Sequence, residues 1–343
     1  MTNQTNVVFV GTPGNDNSTL LFTQFALKGN DILLGNDGDD TLKGFKGQDQ
    51  ILGGVGDDYI SGGADRDSLF GGVGEDTIRG GSGDDSIEGG ANDDYIYGGS
   101  GDDLIYGDNA PDPHLGIIPP SPSDAFLEPG DDYIFAGSGN DTVFGQDGDD
   151  TIFGGSGDDK LYGQNGDDYI EGGSGNDTVR GGAGNDKLLG NFGDDYIFGG
   201  SGDDTIKGGA GSDTLTGGAG KDVFVFEPAT DFKNFYVDVI TDFDVNQDRI
   251  DLTAFALNVD GSTNFAYDEF EFGLTQGLES ALFQVAGDVY IGSRPVLGGG
   301  YGSLSGTGNF GNGLNDSFVI LEGVNVDDLG NANFIFPGET PAH

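Results

Sequence analysis

The chain has 343 residues, with 60 acidic side chains against 13 basic ones, 68 glycines and no cysteine, giving a formal net charge of −47. That charge makes nucleic acid and anionic membranes poor partners and, without a counter-charge, drives the chain toward an expanded state. A divalent cation with oxygen ligands is the natural complement, and the absence of Cys removes disulfide and thiol chemistry.

Residues 1–25 form a short lead-in, with an apolar run Val7–Val10 and one repeat-like turn, Gly11-Thr-Pro-Gly-Asn-Asp16. Met1 to Lys28 hold no basic region followed by an apolar stretch. The expectation is therefore export by a route that reads no cleaved N-terminal signal, and no segment is apolar for long enough to span a bilayer.

Residues 26–225 repeat a nine-residue unit, Gly-Gly-x-Gly-x-Asp-x-apolar-x, as in Gly-Gly-Val-Gly-Asp-Asp-Tyr-Ile-Ser (53–61). The sixth position is Asp in all twenty turns. These are Asp31, Asp40, Asp49, Asp58, Asp67, Asp76, Asp85, Asp94 and Asp103, then Asp132, Asp141, Asp150, Asp159, Asp168, Asp177, Asp186, Asp195, Asp204, Asp213 and Asp222. The eighth position is apolar in every turn, for example Leu33, Ile60, Ile96, Val143 and Phe224. Asp103 and Asp132 are 29 apart, so a Pro-rich insertion at about 108–129 interrupts the period.

Glycines at positions 1, 2 and 4 permit left-handed backbone, which predicts a turn, and positions 7 to 9 predict a three-residue strand. One apolar residue per turn cannot form a core, but stacked turns pile these residues into a column. The predicted fold is all-β: two turns per 18-residue coil, two small parallel sheets face to face, and a rod on the order of 50 Å long. Coils in register bring Asp58 to Asp76 and Asp159 to Asp177. Such carboxylates repel unless a cation lies between them, and an oxygen cage built from loops suits Ca²⁺ better than Mg²⁺.

This nonapeptide resembles the hemolysin-type RTX calcium-binding repeat, over about 200 residues of the chain. The resemblance implies a calcium-bound parallel β-roll. Each ion would be held by the position-6 Asp of turn i and of turn i+2, with carbonyls from positions 2 and 4 of one and 1 and 3 of the other. One site would then use Gly54, Gly56 and Asp58 with Gly71, Val73 and Asp76. The same rule implies Gly155, Gly157, Gly172 and Ser174 about Asp159 and Asp177, and the carbonyls of Gly173, Gly175, Gly200 and Gly202 in neighbouring sites. Pairing within each block gives about 16 ions, leaving out any that bridge the insertion. Sites are expected to weaken where position 2 is Phe45, Gln146, Gln164 or Asn191, and where position 4 is Asp65 or Asn92.

Residues 226–343 lose the period. Val237–Phe243 alternates like a half-buried strand, and Ala281–Val285 with Val289–Ile291 reads as a hairpin. A β-rich cap over the open end of the roll is the structural reading. The segment also resembles the C-terminal domain of serralysin-type metalloproteases and other type I secretion substrates, which implies export through an ABC transporter as an unfolded chain. No protease domain accompanies it. The only histidines are His114 and His343, so no His-Glu-x-x-His zinc helix can form, and there is no Gly-x-Ser-x-Gly elbow. No enzymatic activity is expected.

Position 9 is aromatic in six consecutive turns about the insertion: Tyr97, Tyr106, Phe135, Phe144, Phe153 and Tyr162. Strand propensity explains this in part. A docking surface for the insertion's own apolar residues or for a partner chain, including a second copy, is the alternative. The Gly-rich stretch Gly298–Gly313 reads as a loop. The expected function is that of a secreted calcium-binding repeat protein which folds on Ca²⁺ and acts as an extracellular, surface, structural or adhesive component. A non-catalytic secreted effector or membrane-interacting protein of the cytolysin type is the other reading.

Overall fold

A computed structural model of the chain describes residues 8–10, 29–108, 130–226, 237–251, 278–285, 288–295, 318–322, 324 and 333–335. The turn Gly11–Asp16, the insertion beyond Asp108 and the Gly298–Gly313 stretch fall outside them. Most turns of the array form a six-residue strand, such as Tyr59–Ala64, Ser68–Val73 and Thr77–Ser82, with shorter ones at Leu104–Asp108 and Val223–Val225. The three-residue strand expected from the spacing is thus too short. Positions 1 to 3 keep the inter-coil pairing of 7 to 9, with a left-handed residue at position 2, and positions 4 to 6 complete the turn.

Successive strands alternate between two parallel sheets, so each strand pairs with the one two turns away. Ile60 lies beside Ile78, and Leu69 beside Ile87, in one register throughout the array. Among the described residues one sheet has 15 strands and the other 12. Between strands, position 7 donates to the carbonyl of the Asp one coil below, as Thr77 N–H does to Asp58 O at 2.8 Å. Position 4 donates to position 3 one coil above, as Gly56 N–H does to Val73 O at 2.8 Å. The turn's amides are thereby satisfied by neighbouring coils and not by water.

The core is a single column of position-8 side chains, with Ile60, Leu69, Ile78 and Val143 fully buried. Phe9 starts the column from strand Val8–Val10, which pairs Phe9 with Leu33. Ile240, Ile250 and Leu321 continue it past residue 225. Strands Val237–Ile240 and Arg249–Asp251 extend the two sheets, and Phe318–Leu321 and Phe334–Ile335 pair parallel onto them. The hairpin is present as antiparallel strands Leu278–Val285 and Asp288–Pro295, joined to the edge of the 15-stranded sheet.

The insertion does not break the roll. Strand Leu104–Asp108 pairs with Thr142–Asp147, and Tyr95–Ser100 pairs with Tyr133–Ser138, in the register used everywhere else. Asp108 closes the seam. It is buried, and its carboxylate accepts the Gly130 amide at 3.2 Å and the Asp147 amide at 3.0 Å. A side chain here stands in for backbone partners that the excursion removes.

The residues that depart from glycine keep the turn geometry. Asn36, Phe45, Gln146, Gln164 and Asn191, all at position 2, have φ between 76° and 97°. Asp65 and Asn92 at position 4 have φ of 81° and 78°. Asn and Asp tolerate this region, whereas Phe45 adopts it against its own preference.

Candidate metal centre

The position-6 aspartates form two continuous internal ladders, one along each edge of the roll. The Asp58 amide donates to Asp76 Oδ1 at 2.7 Å, and the Asp159 amide to Asp177 Oδ1 at 2.9 Å. The step is unchanged across the insertion, from Asp94 to Asp132 and from Asp103 to Asp141. It continues beyond Asp222 as well: the Asp213 amide donates to Asp238 and the Asp222 amide to Asp248. A count that stops at the insertion and at residue 225 therefore omits rungs. Asp238 and Asp248 escaped the sequence reading because intervals of 25 and 26 residues break the nine-residue period that revealed the others.

The rungs within the nonapeptide array leave one oxygen over, whereas Asp248 Oδ2 accepts the Asp244 amide at 2.7 Å. The Oδ2 atoms of Asp49, Asp58, Asp76, Asp94, Asp132, Asp150, Asp177 and Asp222, among others, are buried and make no hydrogen bond. A buried carboxylate oxygen without a partner is costly and calls for an explanation. The position-1 glycine supplies one. A Cβ built on Gly53 would lie 2.2 Å from Asp58 Oδ2 and 2.6 Å from the Gly71 carbonyl oxygen. At Gly71 the corresponding oxygens, Asp76 Oδ2 and Gly89 O, lie at 2.2 and 2.4 Å; at Gly154 they are Asp159 Oδ2 and Gly172 O, at 2.6 and 2.5 Å. At these rungs a carboxylate oxygen and a carbonyl oxygen thus converge on a space that a side chain at position 1 would fill; the Asp141 turn departs from this, with the buried Ala136 at position 1.

Of the ligand set implied by the resemblance, the structure brings Asp58 together with Gly71, and Asp159 with Gly172. The Gly54 and Gly56 carbonyl oxygens lie against the places that a Cβ on Gly72 and on Gly74 would take, as the Gly155 and Gly157 oxygens do at Gly173 and Gly175. Gly182 and Gly184 place their carbonyls against Gly200 and Gly202 in the same way. Val73 and Ser174 carbonyls accept the Gly56 and Gly157 amides, each at 2.8 Å. Among the described residues no three or more His, Asp or Glu side chains gather at one point. A cation held here would therefore draw on carboxylate and backbone carbonyl oxygens together, an all-oxygen donor set that fits Ca²⁺ and would supply charge neutralisation.

Electrostatics agrees with that fit. Burial pushes the ladder carboxyls far above the ordinary range: to about 8 for Asp67, Asp76 and Asp195, to about 9 for Asp94 and Asp150, and to about 6 for Asp58, Asp159 and Asp177. The amide each accepts opposes the rise without cancelling it. Without metal, these pKa values exceed the unfolded value of about 3.9, so their contribution to stability is full below pH 4 and is lost as pH rises through about 6 to 9. With metal the sign reverses, because protons and cation compete for the same oxygens. Circular dichroism in chelator should show β-structure gained as pH falls from 8 to 4.5. In calcium, the concentration needed for half-folding should rise over the same interval.

A second ladder lies outside the first, at position 5. Here the upper coil donates: the Asp149 amide to Asp131 Oδ1 at 2.7 Å, the Asp167 amide to Asp149 at 2.8 Å and the Asn185 amide to Asp167 at 2.7 Å. The direction is opposite to that of the inner ladder and the groups are exposed. The frequent Asp and Asn at position 5 were the legible signal for it.

The six aromatics named from the sequence form two stacks. Tyr97, Phe135 and Phe153 stack on the 12-stranded sheet with ring centroids 5.5 and 4.7 Å apart; Tyr106, Phe144 and Tyr162 stack on the 15-stranded sheet at 5.1 and 4.9 Å.

The family model for the RTX calcium-binding nonapeptide repeat (4 copies) matches residues 25–60, 44–78, 52–87, 79–112, 128–161, 153–188, 162–197 and 189–224, together more than half of the chain. Among solved structures, the AlgE6R3 subunit of mannuronan C5-epimerase from Azotobacter vinelandii is 26% identical with a TM-score of 0.30, covering 55% of this chain and 83% of that one. The AlgE6R2 subunit of the same enzyme is 23% identical with a TM-score of 0.22, covering 55% and 94%. The extracellular lipase LipA of Serratia marcescens is 16% identical with a TM-score of 0.24; the match covers 93% of this chain and 42% of the lipase. No curated protein matches.

Proposed function

Because the chain belongs to the RTX calcium-binding nonapeptide repeat family, we propose that it is a secreted calcium-binding protein whose roll folds on Ca²⁺ outside the cell and serves there as a structural or adhesive surface component. The observation that carries this reading is the row of buried Oδ2 atoms without a hydrogen-bond partner, several of which converge with a backbone carbonyl oxygen at a position-1 glycine, as those of Asp58, Asp76 and Asp159 do. A roll that buries so many carboxylates is unfavourable at neutral pH without cations and favourable with them.

The coupling also suits export. Where free calcium is scarce the chain, at −47, stays expanded and can be threaded through an ABC-type secretion channel. Outside, calcium at millimolar concentration exceeds the roughly 10⁻⁴–10⁻³ M dissociation constants typical of extracellular sites, so folding follows by mass action. The role is one of binding and scaffolding, with no catalytic step assigned.

Far-UV circular dichroism of the chelator-treated full chain, titrated with Ca²⁺ and separately with Mg²⁺, tests the proposal. A cooperative coil-to-β transition with Ca²⁺ alone is expected. A β-spectrum already present in chelator at pH 7.5 would overturn the coupling of folding to calcium.

A further inference from the structure

The two broad faces of the roll differ from its edges. On the outer face of the 15-stranded sheet, positions 7 and 9 from Ile32 to Thr216 contain only three charged residues, Glu88, Lys160 and Arg180, in a chain whose net charge is −47. Position 9 on this face runs Phe70, Glu88, Tyr106, Phe144, Tyr162, Arg180, Phe198, each beside the next in the sheet register. In chemical type this row reads the same in both directions about Phe144, save that Glu88 on one side answers Arg180 on the other. Both charges lie two strands from Phe144, about 10 Å away.

We infer that this face is a self-association surface, on which two copies pack face to face with their rods antiparallel about a two-fold axis through the Phe144 rung. That arrangement sets Glu88 of one copy against Arg180 of the second, twice by symmetry. It also sets Tyr106 against Tyr162, Phe70 against Phe198 and Phe144 against itself. Sliding by one rung moves Glu88 onto Tyr162 or Phe198 and loses both ion pairs, so the register is specified. Running the rods parallel would instead bring Glu88 to Glu88 and Arg180 to Arg180.

The rings favour a protein partner over a flat ligand. Tyr106, Phe144 and Tyr162 stack on one another with planes 10–13° apart, so their edges and not their faces point outward. Ring edges interdigitate with a second aromatic ladder. Seven rungs span about 30 Å and a six-residue strand about 20 Å, a footprint of roughly 600 Å² per copy, near the roughly 800 Å² per partner of standard interfaces. The 12-stranded sheet has a similar stack, and the same antiparallel dyad about Phe135 would pair Arg79 with Glu171 two rungs out, but four rungs out it would oppose Lys43 to Lys207, a like-charge pair at each end that the chosen face lacks.

Sedimentation velocity of the full chain in millimolar Ca²⁺, with circular dichroism on the same samples to report folding separately, tests the inference. The wild type should be dimeric at high micromolar concentration. Glu88→Arg and Arg180→Glu should each weaken the dimer by about tenfold or more, and the double exchange should restore it. Glu88→Arg lowers the chain's net negative charge, so its weakening could not come from general repulsion. A monomeric wild type with a β-spectrum would overturn the inference, whether the insertion or nothing covers the face. So would single variants that remain dimeric, or a double variant that stays weak.

Discussion

Replacing Ile152 with Asp should split the roll into two halves. Ile152 is fully buried in the position-8 column, between Ile134 and Ile170 of the same sheet. A carboxylate there has no hydrogen-bond donor within the column and no opening toward a cation, because the ladder oxygens lie at the edges and the column at the centre. The cost combines lost apolar burial with an unpaired buried charge, and exceeds the few kcal/mol of a cavity substitution. A solenoid holds each coil only by its neighbours, so the damage stays local. Limited proteolysis in calcium should cut the variant near residue 152 and leave two resistant fragments. Ile152→Val, which costs about 0.5–1.5 kcal/mol, should leave one. A single resistant species from the Asp variant would show that the coils cooperate over more than their nearest neighbours.

Much of this architecture was legible because one chemistry recurs at one spacing. An apolar residue held at position 8 through twenty turns gives the column, and an Asp held at position 6 gives the ladder, from a single sequence. What the period could not convey was anything decided by contacts between coils. Strand length was underestimated, because positions 1 to 3 carry the Gly signature of a turn and yet pair edge to edge with the next coil, as Gly63 does with Gly81. The reach of the ladder was underestimated too. Asp238 and Asp248 stand on rungs whose connections have different lengths, and register in space survives where register in sequence does not. Asp108 is the third case: one Asp among many in the sequence, it becomes the stitch across the insertion only once Gly130 and Asp147 lie beside it. The direction of the outer ladder was likewise beyond reach, since Asp and Asn at position 5 could accept from either side.

The same substitution should act strongly on the inner ladder and hardly at all on the outer one. Asp150→Asn keeps the oxygen that accepts the Asp132 amide at 2.9 Å, and replaces the unpartnered Oδ2 by an amide nitrogen. In chelator the change removes a buried group whose pKa stands at about 9, so the metal-free roll should gain stability at pH 8 and above. In calcium the sign reverses, because an –NH₂ is not a ligand: bound calcium per chain should fall and the half-folding concentration should rise. Asp149→Asn is the control, one residue away. Its exposed Oδ1 accepts the Asp167 amide at 2.8 Å, an acceptor role that Asn140, Asn176 and Asn185 already fill on other rungs. That variant should stay within about 0.5 kcal/mol of wild type in either condition. Equilibrium dialysis with calcium, alongside thermal melts in calcium and in chelator, separates the two. If Asp149→Asn lowered calcium uptake as much as Asp150→Asn, the cation would belong on the outer ladder, and the buried oxygens of the inner one would need another partner.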